Sequence, residues 1–242
     1  MKQIRIAFAA LFIIPILALS PLYAFLPAAF MKGEAKDRYL RRCGHFIGSS
    51  ICLFLGVRVH VDGQENVPDG GNICYMSNHQ SMLDIASFVG PARLWASVIV
   101  KAEIKKVPVI NMWCTALECV YIERKSPHDS IKAIFRGVEK LKGGGTMLIY
   151  PEGTRSKNGT IGELKNGSLK LPLRAKATIV PITVKGMRAG LEAIENFKIV
   201  DAYVSIGSPI PTAHLDEEAI KGIDQIVYGA ITKRYEELPG RQ

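Results

Sequence analysis

His79 and Asp84 stand five residues apart in Asn78-His79-Gln80-Ser81-Met82-Leu83-Asp84. An imidazole beside a carboxylate is the equipment of a general base. The carboxylate holds one ring nitrogen, fixes the tautomer, and stabilises the imidazolium formed when the other nitrogen takes a proton. On an unbroken helix, side chains at i and i+5 splay apart, so the pairing needs a bend between them. A second patch, Pro151-Glu152-Gly153-Thr154-Arg155-Ser156, follows the apolar run Thr146–Tyr150. There proline ends a strand, Gly153 permits close backbone approach, and Arg155 offers a planar fork suited to phosphate. Glu152 is placed to receive a hydroxyl. Each patch also fits a plainer use: a loop histidine with an N-cap aspartate, and a polar turn with a solvated ion pair.

Other chemistries find less support. Ser81 is a rival nucleophile for a Ser-His-Asp hydrolase, but it lies two residues from His79 and no GxSxG turn presents it. Cys43, Cys52, Cys74, Cys114 and Cys119 form no CxxC pair. Scattered through apolar segments, they predict reduced, buried thiols in a cytosol-facing domain rather than an acyl-carrying nucleophile. The histidines show no HExxH spacing, so no metal is expected, and no cofactor. Gly143-Gly144-Gly145 precedes a strand and lacks a following GK[ST], which makes it a helix stop rather than a phosphate loop.

NHQSMLD followed downstream by PEGTRS resembles the glycerolipid acyltransferase family, and within it the bacterial enzymes acting on 1-acylglycerol 3-phosphate. Val107-Pro108 and Tyr121-Ile122-Glu123-Arg124 resemble the family's second block, and Ile179-Val180-Pro181-Ile182 its fourth. The resemblance covers roughly residues 55 to 210. The second block departs from the family pattern: Glu118 replaces a glycine, Tyr121 a phenylalanine and Glu123 an aspartate, while Arg124 is kept. The resemblance implies transfer of a fatty acyl group from an acyl thioester, acyl-CoA or acyl carrier protein, to lysophosphatidic acid, giving phosphatidic acid. It implies His79 as base with Asp84 orienting it. Glu152, Gly153, Thr154 and Arg155 then line the acceptor site, with Lys101 and Arg124 as further phosphate partners. By position, backbone N–H groups after Asn78, near the new helix, could hold the oxyanion, and the sequence does not identify which. The altered second block leaves open an acyltransferase with another lysolipid or an amine-containing lipid as acceptor. A lipid hydrolase and a noncatalytic lipid-binding module are the readings from other classes.

These residues must be carried by a frame. Val57–Val61, Gly71–Ser77, Trp95–Val100, Cys119–Glu123, Thr146–Tyr150, Ile179–Val184 and Ile199–Ile206 read as strands. Helices are expected over Pro127–Lys142, with Ile131, Ile134, Phe135, Val138 and Leu141 on one face, near Gly167–Ala177, and over about Asp216–Leu238. The alternation predicts an α/β fold, a mixed and largely parallel sheet flanked by helices, with both motifs just after strands, where open sheets bind ligands.

Ahead of this frame, Ile6–Met31 carries no charge, longer than the ~20 residues a bilayer crossing needs. Pro15, Pro21 and Pro27 argue against a straight span, leaving a kinked crossing or a short hairpin. A cleavable signal peptide is the rival, but the stretch is overlong and proline-broken. Residues 1–37 are thus expected to form a membrane-associated helical segment and 38–242 the α/β domain. Lys2 and Arg5 precede the apolar run, and Lys32, Lys36, Arg38, Arg41 and Arg42 follow it, so the domain belongs on the cytoplasmic face of the inner membrane. The excess of 31 Lys+Arg over 22 Asp+Glu favours an anionic partner. With no nucleic-acid-binding motif, that partner is membrane lipid or a phosphate-bearing substrate.

Overall fold

The computed structural model describes residues 2–123, 127–165, 167–195 and 198–240. Seven strands form one sheet: β1 (Val57–Asp62), β2 (Ile73–Ser77), β3 (Ser97–Lys101), β4 (Val120–Ile122), β5 (Thr146–Ile149), β6 (Thr178–Lys185) and β7 (Val200–Ile206). Their order is β1-β7-β6-β2-β5-β3-β4. Neighbours pair in parallel except β6 with β7, which run antiparallel. The mixed, largely parallel sheet is therefore the one the sequence predicts. β2 and β6 are central and buried almost throughout, which explains their unbroken apolar character. β1 alternates as an edge strand does.

The period of two along each strand builds two cores. Tyr75, Val180, Ile182 and Val184 face one side and pack with Cys52, Leu55, Leu83 and Phe88. Cys74, Met76, Met147 and Ile179 face the other and meet Val138, Leu141, Ile223, Val227 and Ile231. The first layer comes from α1 (Lys2–Ser20), α3 (Gly33–Phe54), α4 (Leu83–Val89) and α8 (Met187–Leu191). The second comes from α6 (Pro127–Lys142), α7 (Lys170–Arg174) and α9 (Glu217–Glu237). In α6 the buried stripe is narrower than its apolar pattern suggests. Ala133, Val138 and Leu141 are buried, whereas Ile131 and Phe135 are more than half exposed, Phe135 lying under the Arg174 guanidinium. α5 (Pro108–Ala116) is a helix that the alternation did not reveal.

The prolines of the N-terminal run bend the backbone without breaking it. α1 passes through Pro15, a π-helical turn covers Pro21–Phe25, and α2 (Leu26–Ala28) completes the arm. The reversal comes at residues 29–32, so α3 is the returning arm, and the boundary between residues 37 and 38 falls inside it. The arms run antiparallel: Arg5 bonds Leu55, Phe12 stacks on Phe54, and Tyr39 bonds Tyr23. Arg5 is not a flanking surface charge. It is 5% exposed and donates to the carbonyls of Leu55 and Gly56 at the end of α3, where a cation meets the negative end of the helix dipole. Lys2–Ala28 is long and apolar enough to cross a membrane, and Phe8, Leu11, Leu22 and Phe30 point outward.

α3 and α4 cross at two glycines. A Cβ on Gly48 would stand 2.5 Å from the Ala86 carbonyl oxygen and 2.6 Å from the Gly90 nitrogen. Backbone atoms cannot yield as a flexible side chain can. Gly48→Ala is thus expected to destabilise by about 1–3 kcal/mol, the cost of overpacking, measurable as a lower denaturant midpoint. Because α4 starts at Leu83, the same variant should disturb the turn that carries His79.

Candidate active site

β2 and β5 are parallel neighbours in register, with Met76 beside Ile149. His79 and Glu152 each follow three residues later, so the two loops leave the same sheet edge side by side. Hydrogen bonds then join them. The His79 N–H donates to Glu152 Oε1 at 2.7 Å, and the Ser156 N–H donates to the His79 carbonyl at 2.8 Å. Glu152 is 5% exposed, and its second oxygen accepts the Gly162 N–H at 2.8 Å. Asn78 fixes the other flank by exchanging two hydrogen bonds with the Val184 backbone.

The bend the spacing requires is present. Nδ1 of His79 lies 2.7 Å from Asp84 Oδ2, which also accepts the N–H groups of Gln80 and Ser81. A carboxylate only accepts, so Nδ1 carries the proton and Nε2 is left with its lone pair free. Asp84 is fully buried, and burial pushes its carboxyl pKa up, while His79 and the two amides pull the other way. Tyr150 stacks on the imidazole with ring centroids 3.8 Å apart and planes at 16°. Burial, then the Asp84 charge, raises the Tyr150 phenol well above its usual range, so it stays neutral beside the pair. The result is an oriented imidazole, one side-chain nitrogen committed and the other available.

Ser81 does not join this pair. It is completely buried, and its hydroxyl donates to Glu192 Oε2 at 2.6 Å while accepting the Leu83 N–H. The backbone N–H groups offered as oxyanion donors are paired within the protein. The N–H groups of residues 79 to 83 all have acceptors: Glu152, Asp84 twice, Glu192 and the Ser81 hydroxyl. None of these N–H groups is unpaired in this structure.

Arg155 lies at the mouth of the second loop, its Nη1 3.3 Å from Glu192 Oε1. Gly153 adopts a left-handed φ of 67° against the Lys165 side chain, and Thr154 is exposed beside it. Lys101 ends β3, one strand beyond β5 on the same edge, and is exposed. Arg124 lies outside the described residues. Among those residues no cluster of metal-ligating side chains occurs. Glu192 and Tyr150 were not singled out from sequence. Tyr150 adjoins the second motif, a signal that was there to use; Glu192 is far away in the chain and carried none.

The acyltransferase family profile matches residues 58–185, a span holding both loops. The chain belongs to the acyltransferase family. It is 34% identical over 182 residues to 1-acyl-sn-glycerol-3-phosphate acyltransferase BAT2, chloroplastic, of Brassica napus, covering 72% of this chain and 52% of that protein. It thus spans about half the length of that plant relative. With 1-acyl-sn-glycerol-3-phosphate acyltransferase of Borreliella burgdorferi it shares 25% identity over 78% of this chain and 76% of the other. The crystal structure of PlsC, a 1-acyl-sn-glycerophosphate (LPA) acyltransferase from Thermotoga maritima, superposes with a TM-score of 0.83 at 25% identity. That match covers 100% of this chain and 99% of the other. The N-terminal arm is therefore included in the shared fold.

The chain also holds an apolar cavity of about 540 Å³, which the turn after His79 reaches through Met82 and Leu83. Ile6, Ile13, Ile47 and Ile51 of the N-terminal arms form one wall, and Met82 and Leu83 of the turn after His79 form another. Met82 is also exposed to the outside. The volume is that of a small-molecule site, and its lining is almost wholly apolar.

Proposed function

We propose that the protein transfers a fatty acyl group from acyl-CoA or acyl carrier protein to the free hydroxyl of lysophosphatidic acid, forming phosphatidic acid. The observation that carries this reading is the His79–Asp84 pair in a chain of the acyltransferase family, with Nδ1 committed and Nε2 free. Nε2 takes the hydroxyl proton as the acceptor oxygen attacks the thioester carbonyl. The carbon–sulfur bond then breaks, and the imidazolium returns the proton to the leaving thiolate. No enzyme nucleophile is needed, in keeping with Ser81 being turned toward Glu192.

Arg155, with Lys101 and Arg124 as further cations, takes the acceptor phosphate, and Gly153 and Thr154 complete that wall. Glu152 holds the His79 loop from behind. The acyl chain enters the cavity between the N-terminal arms and α4. The outward apolar residues of α1 immerse in the cytoplasmic leaflet of the inner membrane, with Arg38, Arg41 and Arg42 near anionic head groups.

A product assay tests the reading: full-length protein, an acyl thioester and a panel of lysolipid acceptors, analysed by mass spectrometry. Phosphatidic acid is the expected product; free fatty acid alone, with or without acceptor, would make the protein a hydrolase. Deleting residues 1–31 probes the membrane assignment. The truncation removes Ile6 and Ile13 from the cavity wall and Arg5 from α3, so loss of activity on long-chain acceptors should accompany release from vesicles. Full vesicle binding by the truncated protein would refute the anchor.

A further inference from the structure

One carboxylate near the site is shared between three donors that belong to two different loops. Glu192 follows α8 directly. Its Oε2 accepts the Ser81 hydroxyl at 2.6 Å, and its Oε1 accepts the Met82 N–H at 3.0 Å together with Arg155 Nη1 at 3.3 Å. Its carbonyl accepts Lys2 Nζ at 2.7 Å, which ties the start of α1 to the same residue. Among the described residues Glu192 is the carboxylate that pairs with Arg155.

We propose that Glu192 sets the affinity for the acceptor by competing with its phosphate for Arg155. The inference rests on the reading of Arg155 as the phosphate ligand. The two other bonds of Glu192, to the buried Ser81 and to the Met82 backbone, hold its carboxylate in place whether or not Arg155 stays. The Arg155 side chain is 46% exposed and that of Glu192 25%, so the guanidinium is the partner free to swing. An incoming phosphate must take the guanidinium over and then sit near a fixed negative charge.

That arrangement has a catalytic use. Substrate and product of the reaction carry the same phosphate, so a tighter grip would bind both equally and would slow release without lowering the barrier. Glu192 tempers the grip and reclaims Arg155 as the product departs. Its distance from His79 in sequence hides it, yet it contacts the same turn through Ser81 and Met82.

Glu192→Gln removes the charge while leaving an oxygen for the Met82 N–H. With full-length protein in vesicles, the KM for lysophosphatidic acid should fall about two- to fivefold, the scale of a partly exposed ion pair. Inhibition by phosphatidic acid should strengthen by a similar factor, and a neutral monoacylglycerol acceptor should show neither gain. In an Arg155→Ala background, where KM is already raised, the same substitution should have no effect. A merely structural role would instead lower turnover with both acceptors alike. Calorimetric titration with glycerol 3-phosphate gives a second readout that does not depend on turnover, and it should tighten by the same factor. An unchanged or raised KM with no tightening of glycerol 3-phosphate, or a gain that survives loss of Arg155, overturns the proposal. Tighter glycerol 3-phosphate binding in Glu192→Gln, with no acyl transfer by the wild-type protein, would remove the proposed function and leave the role of Glu192 standing.

Discussion

His79→Ala is expected to lower acyl-transfer turnover by about 10²- to 10⁴-fold, the usual contribution of a positioned general base. The orientation of the imidazole is fixed from three directions. Asp84 holds Nδ1, Tyr150 stacks on the ring, and Glu152 and Ser156 hold the backbone on either side. Asp84→Asn should be nearly as severe. An amide can present its N–H to Nδ1, which favours the tautomer with the proton on Nε2 and deprives the base of its lone pair. That orientation also turns the NH₂ toward the Gln80 and Ser81 N–H groups, which share the same Asp84 oxygen with His79, so some loss of stability in the turn should accompany it. Single-turnover rates with both variants, beside thermal unfolding, make the check. Near-normal transfer by His79→Ala in a folded protein would sink the mechanism.

Glu152→Ala is expected to damage both stability and turnover. The buried carboxylate accepts the His79 and Gly162 N–H groups, one on each oxygen. Truncation leaves two partly buried donors without these partners, at up to about 1–3 kcal/mol each. It also frees the residue that carries the base, and a misplacement of about 1 Å can cost 10²-fold in rate. Burial raises the Glu152 pKa and the two amides oppose that rise, so an uncharged Gln is tolerated better than Ala. Glu152→Gln keeps one acceptor but turns an NH₂ toward the other donor, and should fall between wild type and Ala in melting temperature and in kcat. The contrary result is specific: an Ala variant with wild-type melting temperature and only a raised acceptor KM would mean that Glu152 touches the substrate instead.

Much of this architecture is written locally in the chain. The seven strands follow from short β-branched and apolar runs, and the parallel pairing from their alternation with helices. The stop after α6 at Lys142 follows from Gly143-Gly144-Gly145. His79 with Asp84 is legible because both partners sit in one turn, where a bend over five residues suffices to bring them together. The long apolar N-terminal run is equally local, since hydropathy needs no partner to be read.

What the residues could not announce is whatever depends on a neighbour from elsewhere in the chain. Prolines at 15, 21 and 27 argued against a straight span without locating a turn; the helix runs on through a π-helical turn, and the reversal comes at residues 29–32, where α3 begins its return. Arg5 looked like a surface charge until the end of α3 supplied carbonyls for it. Glu152 reads from its motif as a substrate contact; that it also accepts the His79 and Gly162 N–H groups depends on the register of β2 on β5, which the motif does not carry. The amides of residues 79 to 83 looked free because their acceptors include Glu152 and Glu192, which lie far along the chain. The sequence alone determined the His79–Asp84 pairing, the sheet and the apolar arm, all of which follow from short-range pattern. The tertiary structure decided which polar groups are already occupied, because hydrogen bonds in a folded chain are shared out among residues that only strand order and register bring together.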